Sequence, residues 1–418
     1  MTAFRVVDGE LHAEGVPLAA IAERFGTPCY VYSRAMIEGA YREFAGALAT
    51  ALPGPPALVC YAMKANSNLA VLNLLARLGS GFDIVSGGEL ARVLAAGGDP
   101  AKVVFSGVGK TEVEMEAALA AGILCFNVES ASELDRLAAV AARTGRTAPV
   151  SFRVNPDVDP KTHPYISTGL KENKFGIAFT DALALYRRAA ATPGIAVHGI
   201  DIHIGSQITE LSPYLEAAHK VRDLVDRLAA DGIALSHIDL GGGLGIRYRD
   251  ETPVPLAEYA ALVAGVFGGR RERLLFEPGR RIVGDAGVLL TRVTTLKPGA
   301  ERSFAIVDAA MNDLIRPALY DAWHPVAPVR PRSGATRCWQ IVGPVCESGD
   351  FLAHDRDLAL AEGDLLALGA TGAYAFAMSS NYNSRPRAAE VLVDGANAHL
   401  VRPRERVADL FAQESRLP

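Results

Sequence analysis

Six places in this 418-residue chain carry groups whose types and positions could do chemistry together. Lys64 follows the apolar run ALVCYAM (57–63), Asp83 sits in GFDIVSGGE, and Arg153 stands in FRVNP. His203 lies in DIHIGSQ, Gly241, Gly242 and Gly243 follow HIDL, and Glu277 precedes Pro278, Gly279 and Arg280 in LLFEPGR. Taken singly, each has an ordinary reading. A lysine at a strand end is usually a solvated rim charge, and a lone histidine is more often a hydrogen-bonded structural residue than a reactive one, because perturbed groups are uncommon outside sites. GGGLG alone reads as a tight turn and lacks the GxGxxG spacing of a dinucleotide fold. EPGR alone reads as a turn with an ion pair.

In combination the six describe one ligand. Backbone N–H groups in Gly241 to Gly243, and in the Gly279 turn, are of the kind that holds a phosphate at the mouth of a barrel. A lysine across that mouth can form a Schiff base with an aldehyde. A carboxylate such as Glu277 can keep a pyridine nitrogen protonated. Phosphate, aldehyde and pyridinium together define pyridoxal phosphate (PLP), with Lys64 as its carrier.

Those groups need a scaffold that brings strand ends together. Between residues 57 and 277 short β-branched runs alternate with Ala/Leu-rich stretches of helical period, such as LAVLNLLARLG, GELARVLAAG and ASELDRLAAVAARTG, the pattern of repeated βα units. Strands are predicted at 57–63, 81–85, 102–106, 123–128, 149–154, 196–203, 235–240 and 273–277. Eight parallel strands with eight helices close into a (β/α)8, TIM-like barrel, in which catalytic groups gather at the C-terminal ends. An open doubly wound sheet is the competing architecture. After residue 284 the helical rhythm stops, and runs such as VLLTRVTTL, FAIVDAA and CWQIVG predict an all-β C-terminal domain. FRVVDGELHAEGVPL reads as a hairpin around Asp8-Gly9 that joins it. The expected division is a barrel over 28–284 and a β domain of 1–27 with 285–418. Residues 155–176 form a long polar stretch of the kind that covers a site.

Composition narrows the partners. A net charge of −5 and scattered Lys and Arg argue against nucleic acid or an anionic membrane surface. No apolar run approaches the roughly 18 residues that would span a bilayer, and MTAFRVVDGE lacks a signal-peptide profile; a cytoplasmic protein acting on a small molecule is expected. Five cysteines, Cys29, Cys60, Cys125, Cys338 and Cys346, are odd in number and never paired as CxxC, so reduced thiols and no metal site are expected.

YAMKANSN, FDIVSGGE, HIGSQI, GGGLG, EPGR, GPVCESGD and GAYAFAMSSNYNSRPR, in this order, resemble the diaminopimelate decarboxylases, a family of fold-type III, alanine racemase-like PLP enzymes. The resemblance covers nearly the whole chain, and the last two motifs are its most specific part. It implies a PLP-binding barrel with a β domain, working as a homodimer whose active sites are shared, and decarboxylation of meso-2,6-diaminopimelate to L-lysine. By the same resemblance Lys64 carries the cofactor, His203 stacks on its ring, and Glu277 meets its nitrogen. Ser206, Gly243 and residues 277–280 hold the phosphate side. Arg280, Arg316 and Tyr320 receive the substrate's non-reacting carboxylate. Cys346 is the proton donor and Glu347 the ligand of the distal ammonium, both from the partner subunit, and Tyr374 reaches cofactor and substrate. Racemases of this fold place a cation at the ring nitrogen, so Glu277 favours decarboxylation.

Ordinary readings remain beside these. Arg316 could be a domain-interface ion pair, Cys346 a small buried hydrophobe, and Tyr374 a core aromatic, although the glycines flanking Tyr374 suit close approach of a ligand. Rival activities are decarboxylation of ornithine, arginine, carboxynorspermidine or a carrier-bound amino acid, and a non-catalytic PLP-binding role.

Overall fold

Each strand expected between residues 57 and 277 forms, and all but the first half of Ile195–Asp201 are buried along nearly their whole length, which is why these runs read as continuously apolar rather than alternating. We label them β1 (Leu58–Ala62), β2 (Gly81–Ile84), β3 (Val103–Phe105), β4 (Cys125–Val128), β5 (Ala148–Asn155), β6 (Ile195–Asp201), β7 (His237–Asp239) and β8 (Arg273–Phe276). The computed structural model describes residues 3–160 and 173–418; the stretch 161–172, within the polar segment expected at 155–176, lies outside the described residues.

Every neighbouring pair of these strands is parallel, and the order β5-β6-β7-β8-β1-β2-β3-β4 returns to its start where β4 pairs with β5. Closure rests on two registers, Phe126↔Val150 with Val128↔Phe152, and Leu275↔Leu58 with Phe276↔Val59. An open doubly wound sheet is thereby excluded. A further short strand, Ile177–Ala178, extends beside Val154 and Asn155 of β5.

Four consecutive helices of the barrel start where the sequence supplies caps. Asn68, Ser86, Thr111 and Ser130 each accept a backbone N–H of the first turn, and Thr111 with Glu114 makes a reciprocal capping box, satisfying donors that have no partner inside the helix. After β8 only the four-residue helix Arg280–Val283 follows. A full eighth helix does not form there because the chain turns into the other compact unit; instead Phe44 of the preceding helix Arg34–Ala51 packs edge-on against Phe276 of β8, ring centres 6.1 Å apart. None of the described helices is long and apolar enough to cross a membrane.

Two compact units result: Ala40–Ile246 with Thr252–Arg281, which holds the barrel, and Met1–Gly39 with Arg247–Glu251 and Ile282–Pro418. The second is a β unit, as expected. Its main sheet runs Phe351–Leu358, Arg337–Val342, Ser303–Val307, Gly287–Lys297, Cys29–Ser33, Ala389–Asp394, Asn397–Arg402, with Leu365–Leu368 and Val326–Pro328 alongside. The N-terminal hairpin pairs Val7 with Glu10 across Asp8 and Gly9, whose φ values of 48° and 79° fit the two-residue turn that matches strand twist.

The expected boundary at residue 28 needs correction. Cys29–Ser33 pairs with both Gly287–Leu290 and Ala389–Val393, so it is a central strand of the β unit. Its five residues are all buried, and an apolar strand carries no mark of the sheet that will accept it. Residues 247–251, just past the glycine run, likewise belong to the β unit.

Candidate active site

Strand register decides what can meet at the barrel rim. Ala62, the last residue of β1, pairs with Asp83 of β2. Lys64 lies two residues further on, in the turn Met63–Ala65, and its Nζ donates to Asp83 Oδ2 at 2.5 Å. Asp83 is fully buried while the Lys64 side chain keeps 35% of its exposure. The odd polar end of an apolar strand is thus an amine held at the mouth by a buried carboxylate.

Glu277 directly follows β8, the other neighbour of β1, and its backbone N–H donates to Gly241 O at 2.7 Å. Its side chain joins two carboxylates that the sequence reading passed over: Asp201 at the end of β6 and Asp239 at the end of β7. Their oxygens and that of Glu277 lie within 4.8 Å of one another. Gly241 N–H donates to Asp239 Oδ1 at 2.9 Å. Glu277 Oε1, Asp239 Oδ2 and both Asp201 oxygens are buried without a hydrogen-bond partner. Burial pushes Glu277 well above the usual carboxylate range, and Asp83, Asp239 and Asp201 push the same way against the opposing Lys64. Burial likewise raises Asp201 to about 7, opposed by Arg153. Buried like charges at this spacing cannot all ionise. A cationic N–H donor against Glu277 Oε1 would meet an acceptor in need of one and relieve the crowding, so these residues fit the ring nitrogen of PLP.

His203 follows β6 and is neutral. Its Nδ1 accepts from Gly242 N–H at 3.2 Å, which leaves the ring proton on Nε2. Burial first, then Arg153 and Lys64, hold its pKa well below the ordinary value. Arg153, on β5, is engaged by protein groups: Glu129 at 3.7 Å, the His203 carbonyl at 3.5 Å and the face of Phe175 at 4.8 Å.

Three loops meet on the phosphate side. Gly241 and Gly243 take φ of +65° and +103°, and a Cβ on Gly242 would stand 2.1 Å from Glu277 O. Only glycine fits where one loop backbone lies this close to the next. A Cβ on Gly279 would approach Ala62 O to 3.1 Å. Arg280 Nη2 donates to Ser206 Oγ at 3.0 Å, tying the loop after β8 to the one after β6. Backbone N–H groups, a hydroxyl and a guanidinium suit a phosphate.

The structure therefore brings Lys64, Asp83, Arg153, His203, Ser206, Gly241, Gly242, Gly243, Glu277, Gly279 and Arg280 into the barrel unit's C-terminal rim. Arg316, Tyr320, Cys346, Glu347 and Tyr374 belong to the β unit. Arg316 is buried, and its Nη1 bonds Tyr248 Oη and His324 Nε2, each at 3.0 Å. Tyr320 ends the short helix that Arg316 begins. Cys346 and Glu347 are exposed on a loop anchored by Asp350, whose carboxylate accepts the N–H groups of Met311 at 2.6 Å and Val345 at 2.8 Å. The buried-hydrophobe reading of Cys346 is thereby excluded. Its backbone N–H donates to Asn383 Oδ1 at 3.1 Å, and a hydrogen bond to Glu347 raises the Tyr382 hydroxyl's pKa. Tyr374 is half-buried with φ of 55°, a conformation that costs energy for a side-chain-bearing residue and collects at functional sites.

Asp201, Asp239, Glu129, Tyr248, His324, Asp350 and Asn383 were missed by sequence reasoning. For Asp201 and Asp239 a signal was present, since each is an acidic residue at the end of an apolar strand next to a motif already singled out. The others act through contacts that no spacing in the chain announces.

Comparison with known proteins agrees with this geometry. The family profile described as "Pyridoxal-dependent decarboxylase, pyridoxal binding domain" matches residues 35–284. The diaminopimelate decarboxylase of Pseudomonas aeruginosa is 65% identical over 418 residues, covering 100% of both chains. Among solved structures, the diaminopimelate decarboxylase of Helicobacter pylori complexed with L-lysine superposes with a TM-score of 0.91 at 41% identity, over 95% of this chain and 99% of that one. The M. jannaschii diaminopimelate decarboxylase in co-complex with L-lysine gives 0.94 at 38% identity, over 100% and 98%.

Proposed function

The chain belongs to the diaminopimelate decarboxylase family of pyridoxal-dependent decarboxylases, and on that premise we propose that it converts meso-2,6-diaminopimelate to L-lysine and CO2 with PLP as cofactor. One observation carries the reading: the Lys64 amine and the buried Glu277 Oε1, which lacks a hydrogen-bond partner, stand at the C-terminal ends of adjacent strands, with a glycine-lined anion cradle in the neighbouring loops after β7 and β8.

Lys64 would hold the cofactor covalently through Nζ, with Asp83 fixing the amine beforehand. Gly241 to Gly243, Ser206, Gly279 and Arg280 would grip the phosphate. When bound, PLP supplies an electron sink for the pair left at Cα by departing CO2. Glu277 sustains that sink, because an anionic partner keeps the ring nitrogen protonated. His203 contributes a flat neutral ring: its Nδ1 lone pair is already taken by Gly242 N–H, so it covers the cofactor without adding a competing cation. Arg153, paired with Glu129, holds the His203 segment.

In the β unit, Arg316 is the group that receives the substrate's distal carboxylate, with Tyr320 and Arg280 beside that end of the ligand. A guanidinium binds a carboxylate with geometric selectivity, and a substrate lacking that carboxylate would leave it unmatched at a cost of about 1–3 kcal/mol. Glu347 takes the distal ammonium, Cys346 Sγ delivers the proton to Cα, and Tyr374 closes on cofactor and substrate. Cys346 and Glu347 would serve the partner subunit's cofactor in a cytoplasmic homodimer.

The test is CO2 release measured side by side from meso-diaminopimelate, ornithine, lysine and arginine. Preference for meso-diaminopimelate supports the assignment; preference for any substrate without the distal carboxylate overturns it.

A further inference from the structure

Arg316 is not held by one neighbour but clamped on two sides. Its Nη1 donates to Tyr248 Oη and to His324 Nε2, both at 3.0 Å, so both hydrogens of that nitrogen are directed. The guanidinium carbon also lies 4.7 Å above the Tyr248 ring, within the range of a cation–π contact. Tyr248 and His324 themselves meet edge to face, centres 5.4 Å apart at 84°.

His324 is fully buried. Its Nδ1 lies 2.9 Å from Gly369 O, and a carbonyl can only accept, so Nδ1 carries the proton and Nε2 keeps the lone pair that receives Arg316. The imidazole is therefore the neutral Nδ1–H tautomer, set by its partners. Both acceptors of Nη1 are neutral. They fix the direction of the guanidinium without neutralising its charge, as a carboxylate in either place would. A guanidinium swings on four rotatable bonds, and holding one end makes a bidentate approach to a carboxylate cheaper in side-chain entropy.

We infer that His324 and Tyr248 are positioning residues for Arg316, and that this clamp sets the preference for ligands bearing a carboxylate at the non-reacting end. The inference rests on Arg316 being the receiver of that carboxylate, and the experiment separates the two.

L-lysine, as product, retains the distal carboxylate, whereas 1,5-diaminopentane lacks it; inhibition of the holoenzyme by each reads carboxylate recognition without turnover. His324→Ala is expected to weaken L-lysine inhibition and raise KM for meso-diaminopimelate by about tenfold, the scale of one lost hydrogen bond to a charged group, with a much smaller change in kcat and none in inhibition by 1,5-diaminopentane. Tyr248→Phe, which keeps the ring but loses the acceptor, should show a smaller shift of the same kind. His324→Gln, whose carbonyl can replace Nε2, should recover part of the loss. Adding His324→Ala to Arg316→Ala should cause no further loss. Unchanged L-lysine inhibition in His324→Ala and Tyr248→Phe, alongside weakened inhibition in Arg316→Ala, overturns the clamp. Unchanged inhibition in Arg316→Ala instead overturns the carboxylate role on which it rests. If His324→Ala does not fold, Tyr248→Phe and His324→Gln decide: a fall in L-lysine inhibition for Tyr248→Phe supports the clamp, and none for either refutes it.

Discussion

Replacing Asp201 with Asn should stabilise the cofactor-free protein, and by more as the pH rises. Asp201 is buried, neither of its oxygens has a hydrogen-bond partner, and its pKa is raised from 3.8 to about 7. A carboxyl group that holds its proton more tightly folded than unfolded contributes fully below the unfolded value, and that contribution is lost as pH climbs toward the folded value. Each tenfold difference in proton affinity is worth about 1.4 kcal/mol. The cost of keeping Asp201 inside is thus roughly 2 kcal/mol at pH 5 and about 4 kcal/mol at pH 8, where both states are ionised. Asn carries no titration, so its advantage over Asp should grow by roughly 2–3 kcal/mol between those two pH values. Urea unfolding of the cofactor-free parent and variant at pH 5, 6.5 and 8 measures this as a widening gap in midpoint. A gap that stays constant with pH would show that Asp201 does not titrate in the fold, and the crowded-carboxylate account of the rim would fail with it.

Lys64→Ala should abolish the visible absorbance of bound cofactor, read by spectrophotometry of the purified protein; an unchanged spectrum would place the carrier elsewhere. Cys346→Ala should keep that absorbance and lose most turnover, and mixing it with Lys64→Ala chains should restore part of the activity if two copies share their sites. Gly242→Ala puts a Cβ 2.1 Å from Glu277 O, so the loops must part by roughly an ångström, a displacement on the scale that costs about a hundredfold in rate; steady-state kcat/KM close to the parent's would contradict the stated packing.

Much of the fold was legible because its signals are local. The βα rhythm and the Asp8-Gly9 turn each depend on residues a few positions apart. Boundaries set by partner choice were not legible: Cys29–Ser33 is as apolar as β1, and only pairing with Gly287–Leu290 and Ala389–Val393 assigns it to the β unit. The site divides in the same way. Lys64, His203, the glycine run and Glu277 stood out because polar groups and glycines interrupt apolar strands at one end. Asp201 and Asp239 sit at equivalent places but in runs where a single acidic residue looks like an ordinary strand terminus.

By itself the amino-acid sequence determined which groups could act: an amine, a carboxylate, an imidazole and a glycine run at the ends of buried strands, plus the motifs of the β unit. Tertiary structure alone decided their electrical state and aim. Closure of β4 on β5 and β8 on β1 carries the carboxylates of Asp83, Asp201, Asp239 and Glu277 into one buried ring of strand ends, where proton affinity follows from mutual distance and loss of water. The hydrogen bond from Gly242 makes His203 neutral, and Tyr248 with His324 directs Arg316. Charge and orientation are properties of neighbours in space, and residues 248 and 324 become neighbours only when the chain has folded.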